Sequence, residues 1–291
     1  MKKYEGLIKF SKGSVFVSIN GPCATKSLQP VASIVSIGTE LRQLRMSKTC
    51  SDIFAGYMNI VSTDTKHFFL VPSPHGSSNE EAINDARVLK FPKDIPLYYI
   101  AAARFQLITA VNIKNMKMTF ERNTNLLILG SGPVSVGAFF EAVRLEINNI
   151  FVQPELYKTL YSFFPQCQKL NDQVFNSFDV VFDCKGQPDE SVKYVKDEGV
   201  IAIIGTPCKG MYVDALSIHR RGIKMYGFHE LIPPPSLYLR IFRFIVKWIT
   251  NSVDSELLKS LTIYMPGYEA REVYHNLCRY PRKYPFIIFK W

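Results

Sequence analysis

The run Gly130-Ser131-Gly132-Pro133-Val134-Ser135 follows four apolar residues, Leu126 to Leu129, and precedes a segment of helical spacing that reaches about Glu146. Glycine at the first position admits the backbone shape of a tight turn, and glycine at the third leaves room for a bulky anion to approach the main chain. Pro133 stands where a helix begins, so the free N–H groups of that helix start would face the anion and favour its charge. The chemistry this pattern suits is the binding of a pyrophosphate. Ser135 replaces the third glycine of the usual dinucleotide fingerprint; it is small, and Gly137 follows two positions on. The same residues also make a purely structural corner between strand and helix, so the motif by itself leaves both readings open.

The residues that would surround a dinucleotide extend the pattern. A dinucleotide site commonly places Asp or Glu about 20 residues on, at the end of the next strand, to accept from ribose hydroxyls. Here the next predicted strand, 149–152, runs into Gln153, Pro154 and Glu155. Gln153 offers a neutral hydrogen bond, Glu155 a carboxylate that would reach back, and Lys158 a partner for a 2′-phosphate. NAD and NADP both stay open. Two further turns, DCKGQP (183–188) and IGTPCKG (204–210), contribute Cys184, Gly186, Gly205 and Thr206. Glycines directly after strands let the backbone come close to a flat ligand, and their amides suit a carboxamide, although ordinary turns use the same residues.

These turns need a frame that brings them to one edge. Near-continuous apolar runs at 126–129, 149–152, 179–184, 200–205 and 223–227 alternate with helical candidates at about 133–146, 156–164 and 189–197. That alternation predicts a parallel α/β sheet covered on both faces, with all strand C-termini on one rim. The first hundred residues differ: short apolar runs broken by Gly, Pro and Ser predict short strands in a barrel-like or sandwich-like lobe. The stretch 96–113 predicts a closely packed helix or helix pair. After Pro233–Pro235, the residues Leu237, Ile241, Phe244, Ile245 and Trp248 recur at near-helical spacing and predict an amphipathic helix packed by one stripe, with Arg240, Arg243 and Lys247 on other faces. The tail predicts a short helix and a final strand, FIIF.

Composition bounds the function classes. With 291 residues and 47% hydrophobic content the chain has ample material for a core, which excludes a disordered protein. An excess of 35 Lys and Arg over 25 Asp and Glu gives a net charge of +10, which favours anionic ligands. The chain has no recognised motif for reading DNA or RNA, so nucleic acid is not an expected partner. Six scattered cysteines without a CxxC pair fit free thiols in a reducing compartment better than disulfides or a zinc knuckle. The two N-terminal lysines lead into no continuous apolar stretch, and no later run is long enough to span a bilayer, so a soluble cytoplasmic protein is expected.

The segments SIVSIGTELR, HFFLVPSPHG, AAARFQLITAV, NLLILGSGPVSVG, FDVVFDCKGQPDESV, GVIAIIGTP and YEAREVYHNL, in that order, resemble the medium-chain dehydrogenase/reductase superfamily. The resemblance covers most of the chain and implies an α/β fold: a Rossmann-type parallel sheet domain at 110–233 inserted in a shortened GroES-like β-barrel lobe, 1–109 plus 234–291. It implies NAD or NADP as cofactor, hydride transfer to or from a carbonyl, alcohol or activated alkene, and a homodimer. It implies no zinc. Ile37 stands where zinc-dependent members carry Cys, Gly56-Tyr57-Met58 where they carry Gly-His-Glu, and Ala101 to Ala103 near the third ligand; isoleucine and alanine have no donor atom and a lone thioether is a poor one. The structural-zinc lobe is missing as well.

Without a Lewis acid, another group must stabilise negative oxygen and supply a proton. Thr39 matches the family's hydroxyl beside the substrate. Glu40 is a candidate base or cation binder, Tyr57 an alternative proton donor, and His75 a titratable residue near the substrate entrance or a structural histidine capping its loop. Arg104, in an otherwise small and apolar helix, would bind an anion if buried and be a surface charge if exposed; His229 follows the last sheet strand and lines the same region. Three outcomes are compatible with the sequence: a zinc-free reductase acting on a small or carrier-bound substrate, anionic or neutral; a noncatalytic scaffold; and a basic module binding nucleic acid or membrane through RIFRFIVKW and RYPRKYP.

Overall fold

The structure, a computed structural model, describes residues 5–20, 28–63, 66–171, 174–208, 210–279 and 284–291. Cys23 and most of the basic run 279–285 lie outside the described residues. The chain divides into two compact units, Met1–Ala101 with Leu258–Trp291, and Ala102–Leu257.

The chain begins with β1 (Glu5–Ser11), β2 (Ser14–Asn20), β3 (Gln29–Ile34), α1 (Ile37–Met46), β4 (Ile53–Phe54), β5 (Asn59–Ser62), β6 (His67–Val71) and β7 (Leu89–Pro92). Helix α2 (Leu97–Met116) then carries it across the boundary between the units. The sequence predicts only short strands in this region, and α1 is the exception. Its buried positions, Ile37, Glu40, Leu41 and Leu44, do follow helical spacing. One of the four is a carboxylate, which conceals the stripe from a reading by hydropathy.

The second unit continues with β8 (Asn125–Leu129), α3 (Pro133–Arg144), β9 (Asn149–Val152), α4 (Pro154–Leu160), β10 (Cys167–Lys169), β11 (Phe178–Asp183), α5 (Pro188–Tyr194), β12 (Val195–Ile203), α6 (Ala215–Arg221), β13 (Lys224–Gly227) and α7 (Pro235–Ser252). The six strands pair in parallel in the order β10-β9-β8-β11-β12-β13. Numbered within the unit this is 3-2-1-4-5-6, the doubly wound order whose direction reverses between its first and fourth strands. Gly137 lets α3 lie directly on α2: a β-carbon there would stand 2.4 Å from the carbonyl carbon of Phe105. Helix α7 is rotated from the expected stripe. Tyr238, Phe242, Ile245, Val246 and Ile249 are buried, whereas Phe244 is 56% exposed.

Returning to the first unit, the chain adds α8 (Ser255–Ser260), β14 (Thr262–Pro266), α9 (Ala270–Arg279) and β15 (Phe286–Lys290). Strands there form a three-stranded sheet, β2-β1-β4, and a six-stranded mixed sheet, β14-β15-β3-β5-β6-β7. Ile8, Phe10, Ile37, Leu41, Tyr274 and Phe289 meet in one core beneath α1 and α9.

Candidate functional site

The sheet of the second unit sets its turns in a row. Leu129, Asp183, Ile203 and Gly227 are paired neighbours in register, so the segments that follow β8, β11, β12 and β13 leave the sheet side by side. In open α/β sheets ligands bind at this carboxyl edge, where the strand order reverses. The reversal here lies between β8 and β11, which places the glycine turn and the Asp183 turn on either side of it.

Gly130 has φ +119°, a region closed to other residues, and a β-carbon there would also stand 2.5 Å from Ser135 Oγ. Gly132 is the N-cap of α3 with no side-chain cap, and Pro133 occupies the first helical position. The N–H of Ser135 and that of Val136 turn back to Gly132 O, at 3.0 and 3.1 Å. Among the described residues the N–H groups of Ser131, Gly132 and Val134 have no hydrogen-bond acceptor, while Val134 itself is half-buried. Gln153, the N-cap of α4, accepts from Gly130 N–H through Oε1 at 3.1 Å. Its oxygen is thereby committed, leaving its NH₂ as a donor. Glu155 and Lys158 are exposed on α4.

The two other turns mesh backbone to backbone. A β-carbon on Gly186 (φ +70°) would stand 2.6 Å from Thr206 O, and one on Gly205 would stand 2.4 Å from Cys184 O. Gly205 N–H and Ile204 N–H both donate to Asp183 O, at 2.7 and 2.9 Å. These glycines are thus required by turn-on-turn packing. Cys184 is half-buried beside Ser135, and burial raises its thiol.

Asp183 is fully buried and organises this junction: its Oδ1 accepts from Lys185 N–H at 3.0 Å and Gly186 N–H at 2.8 Å, but among the described residues Oδ2 has no partner. Burial pushes the carboxyl above the ordinary range, against the pull of the N–H groups of Gln187, Lys185 and Gly186. The folded chain therefore binds this proton more tightly than the unfolded chain. Its contribution to stability falls as pH rises from the ordinary Asp range through the raised folded value, and is lowest above that value. Asp183→Asn should remove this decline while keeping the Oδ1 cap. Urea unfolding of both proteins across the acidic range should show the variant gaining on the parent as pH rises; parallel curves would refute the assignment.

Arg104 is buried and meets its anion inside the protein. Nη1 and Nη2 donate to Glu230 Oε2 and Oε1 at 2.7 and 2.8 Å, a bidentate pair with 4% and 9% residue exposure. Glu230 lies three residues beyond β13, so the clamp ties the segment leaving that strand to α2. His229 is exposed, and its Nδ1 accepts from Leu231 N–H at 3.3 Å.

In the first unit the structure brings Glu40 and His75 into direct contact and adds a residue the sequence did not single out, Tyr274 of α9. All three are fully buried. Glu40 Oε1 accepts from Ser36 N–H at 2.8 Å, reaching back over the start of α1; Oε2 accepts from Tyr274 OH and lies 3.1 Å from His75 Nε2. We assign the histidine proton to Nε2, opposite the carboxylate; among the described residues Nδ1 has no partner. His75 is fixed by its N–H on Ala55 O at 2.9 Å and by Asn59, whose side chain holds Ser73, Gly76 and Ser77 of the same loop. Burial and the charge of Glu40 push the Tyr274 phenol well above its usual range. Closed off from water, the trio anchors the first turn of α1. Half-buried Thr39 lies on that turn, and half-buried Tyr57 donates to Ser36 Oγ at 2.8 Å. The only signal for Tyr274 in the sequence was its place on the apolar stripe of a short helix.

The positions that match the zinc ligands of zinc-dependent dehydrogenases in the resemblance carry other side chains. Ile37, Met58, Ala101, Ala102 and Ala103 are buried apolar residues, and the Tyr57 hydroxyl is bound to Ser36. Among the described residues no three His, Cys, Asp or Glu side chains are grouped to hold a metal ion. No helix among them is long and apolar enough to cross a membrane.

The sequence matches no family model and no curated protein. Solved structures match its fold from end to end. Acetophenone reductase from Geotrichum candidum, in complex with NAD, is 15% identical with a TM-score of 0.72, over 100% of this chain and 98% of that one. The yhdH oxidoreductase from Salmonella enterica, in complex with NADP, is 11% identical with a TM-score of 0.68, over 99% of each chain. Galactitol-1-phosphate dehydrogenase from Escherichia coli is 13% identical with a TM-score of 0.70, over 98% of this chain and 100% of that one. The likeness is one of fold.

Proposed function

We propose that the chain is an NAD(P)-dependent oxidoreductase acting on a carbonyl, an alcohol or an activated alkene without a catalytic zinc ion. One observation carries the reading: a glycine turn at the reversal of a 3-2-1-4-5-6 sheet, with the N–H groups of Ser131, Gly132 and Val134 free of partners among the described residues. Those amides, at the positive end of α3, suit a diphosphate. The nicotinamide of the bound cofactor supplies or accepts the hydride. The NH₂ of Gln153 and the ammonium of Lys158 are donors toward the ribose side, and the strand end has no carboxylate in the place favoured for NAD. Cys184, Gly186, Gly205 and Thr206 form the rim on the nicotinamide side. Thr39 is the hydroxyl that would hydrogen-bond substrate oxygen and move its proton, with Glu40 and His75 holding the turn that carries it; Tyr57 is the alternative donor and would have to release Ser36 Oγ to serve. Fold relatives that bind NAD and NADP support the reading, and homodimerisation follows from the family resemblance.

A second reading, a noncatalytic scaffold, draws support from the same rim. Gly186 and Gly205 are needed by the packing of the turns, so these two glycines would persist in a protein that bound no nucleotide. Calorimetric titration of the full chain with NAD⁺, NADH, NADP⁺ and NADPH, with metal analysis, separates the two. The redox reading expects micromolar binding of at least one nucleotide and no stoichiometric zinc. Gly132→Val, at a φ of −88° that a side chain tolerates, should weaken binding by about tenfold or more, roughly 1.4 kcal/mol. Absence of binding to the parent protein would favour the scaffold.

A further inference from the structure

Helix α7 has a solvent face that neither the fold nor the proposed chemistry uses. Arg240, Arg243, Phe244 and Lys247 are exposed at i, i+3, i+4 and i+7, and so lie on one side of the helix over about 10 Å. No Asp or Glu occurs in α7, and no carboxylate among the described residues pairs with these three cations. Phe244, 56% exposed, stands among them under the guanidinium of Arg144, 5.4 Å from its ring centre. Arg144 is itself held by Glu141, whose Oε2 accepts from its Nε at 2.8 Å and from Gln106 Nε2 at 3.0 Å. The aromatic ring is thus braced outside the core by a buried network.

We propose that this face docks an acidic helix of a protein partner. Carboxylates at helical spacing would meet Arg240, Arg243 and Lys247, and an apolar gap on the partner would take Phe244, an aromatic anchor ringed by arginine of the kind that dominates protein interfaces. A lipid surface fits less well, because the apolar stripe of α7 is already buried in its own unit and one ring offers little to insert. Single-stranded nucleic acid calls for a basic groove with several stacking rings, and this patch is compact with one. A second copy of the same face is repelled by its charge. The proposal is independent of the redox reading.

The test uses the full chain and a fluorescein-labelled amphipathic peptide helix with a glutamate face beside a leucine stripe, read by fluorescence anisotropy. Saturable binding is expected, weakened about tenfold or more by Arg240→Glu with Arg243→Glu and about threefold or more by Phe244→Ala. A peptide with lysine in place of glutamate should bind the doubly reversed variant and not the parent. All three positions are exposed, and thermal melts verify that each variant folds. Absence of saturable binding, binding indifferent to Phe244→Ala or to charge reversal, or tighter face-dependent binding to oligothymidylate or to phosphatidylserine-containing vesicles would each overturn the proposal.

Discussion

Glu40→Ala should lower the stability of the protein by about 3–5 kcal/mol, the scale of breaking a buried charged partnership by removing one member. The carboxylate accepts from a backbone N–H, a phenol and an imidazole, all in a region sealed from water. Removing it takes the acceptor from Ser36 N–H and leaves Tyr274 OH and His75 Nε2, 3.3 Å apart, only each other, where a donor left unpaired in the interior costs about 1–3 kcal/mol. Glu40→Gln keeps one acceptor oxygen but turns an NH₂ toward other donors, so it should recover only part of the loss. Urea unfolding reads the effect. A variant that unfolds like the parent but is inactive would instead make Glu40 a reacting group, the role of base that its sequence position allowed.

Arg104→Met should cost a similar ~3–5 kcal/mol, because Glu230 would be left buried and charged without its fork. Combining it with Glu230→Leu should restore most of that loss, since replacing both members of a buried pair by apolar groups is often neutral or favourable. The double-mutant cycle therefore expects the pair of substitutions to be much milder than the sum of the two. If Arg104 served an external anion alone, Arg104→Met would leave unfolding nearly unchanged, and the cycle would show no coupling with Glu230.

What could be read from the sequence depended on how each element earns its burial. Strands β8, β9 and β11 and the second half of β12, from Val200, contribute nearly unbroken apolar runs to a sheet covered on both faces, and such runs announce themselves. Strand β10 is only three residues, and α6 buries none of its side chains, so neither leaves a pattern. Strand β12 starts at Val195, where a helix was still expected, because Lys196, Asp197 and Glu198 sit at its exposed start. Helix α7 was recognised, but Leu237, Phe244 and Trp248 suggested a stripe turned by about one residue from the one that packs. The site shows the same division. Glycines and hydroxyls could be placed by local motif, whereas the pairing of Glu40 with Tyr274 joins positions 234 apart in the chain and that of Arg104 with Glu230 joins positions 126 apart. Nothing in local spacing encodes such partners.

The meshing of the segments after β11 and β12 sets a limit on how this rim can be remodelled. With Gly186 seated on Thr206 and Gly205 on Cys184, neither loop tolerates even an added methyl group without displacing main chain on the other. Engineering a new specificity here means transplanting both loops together as a single cassette, and evolutionary drift in one would have to be matched in the other at the same step.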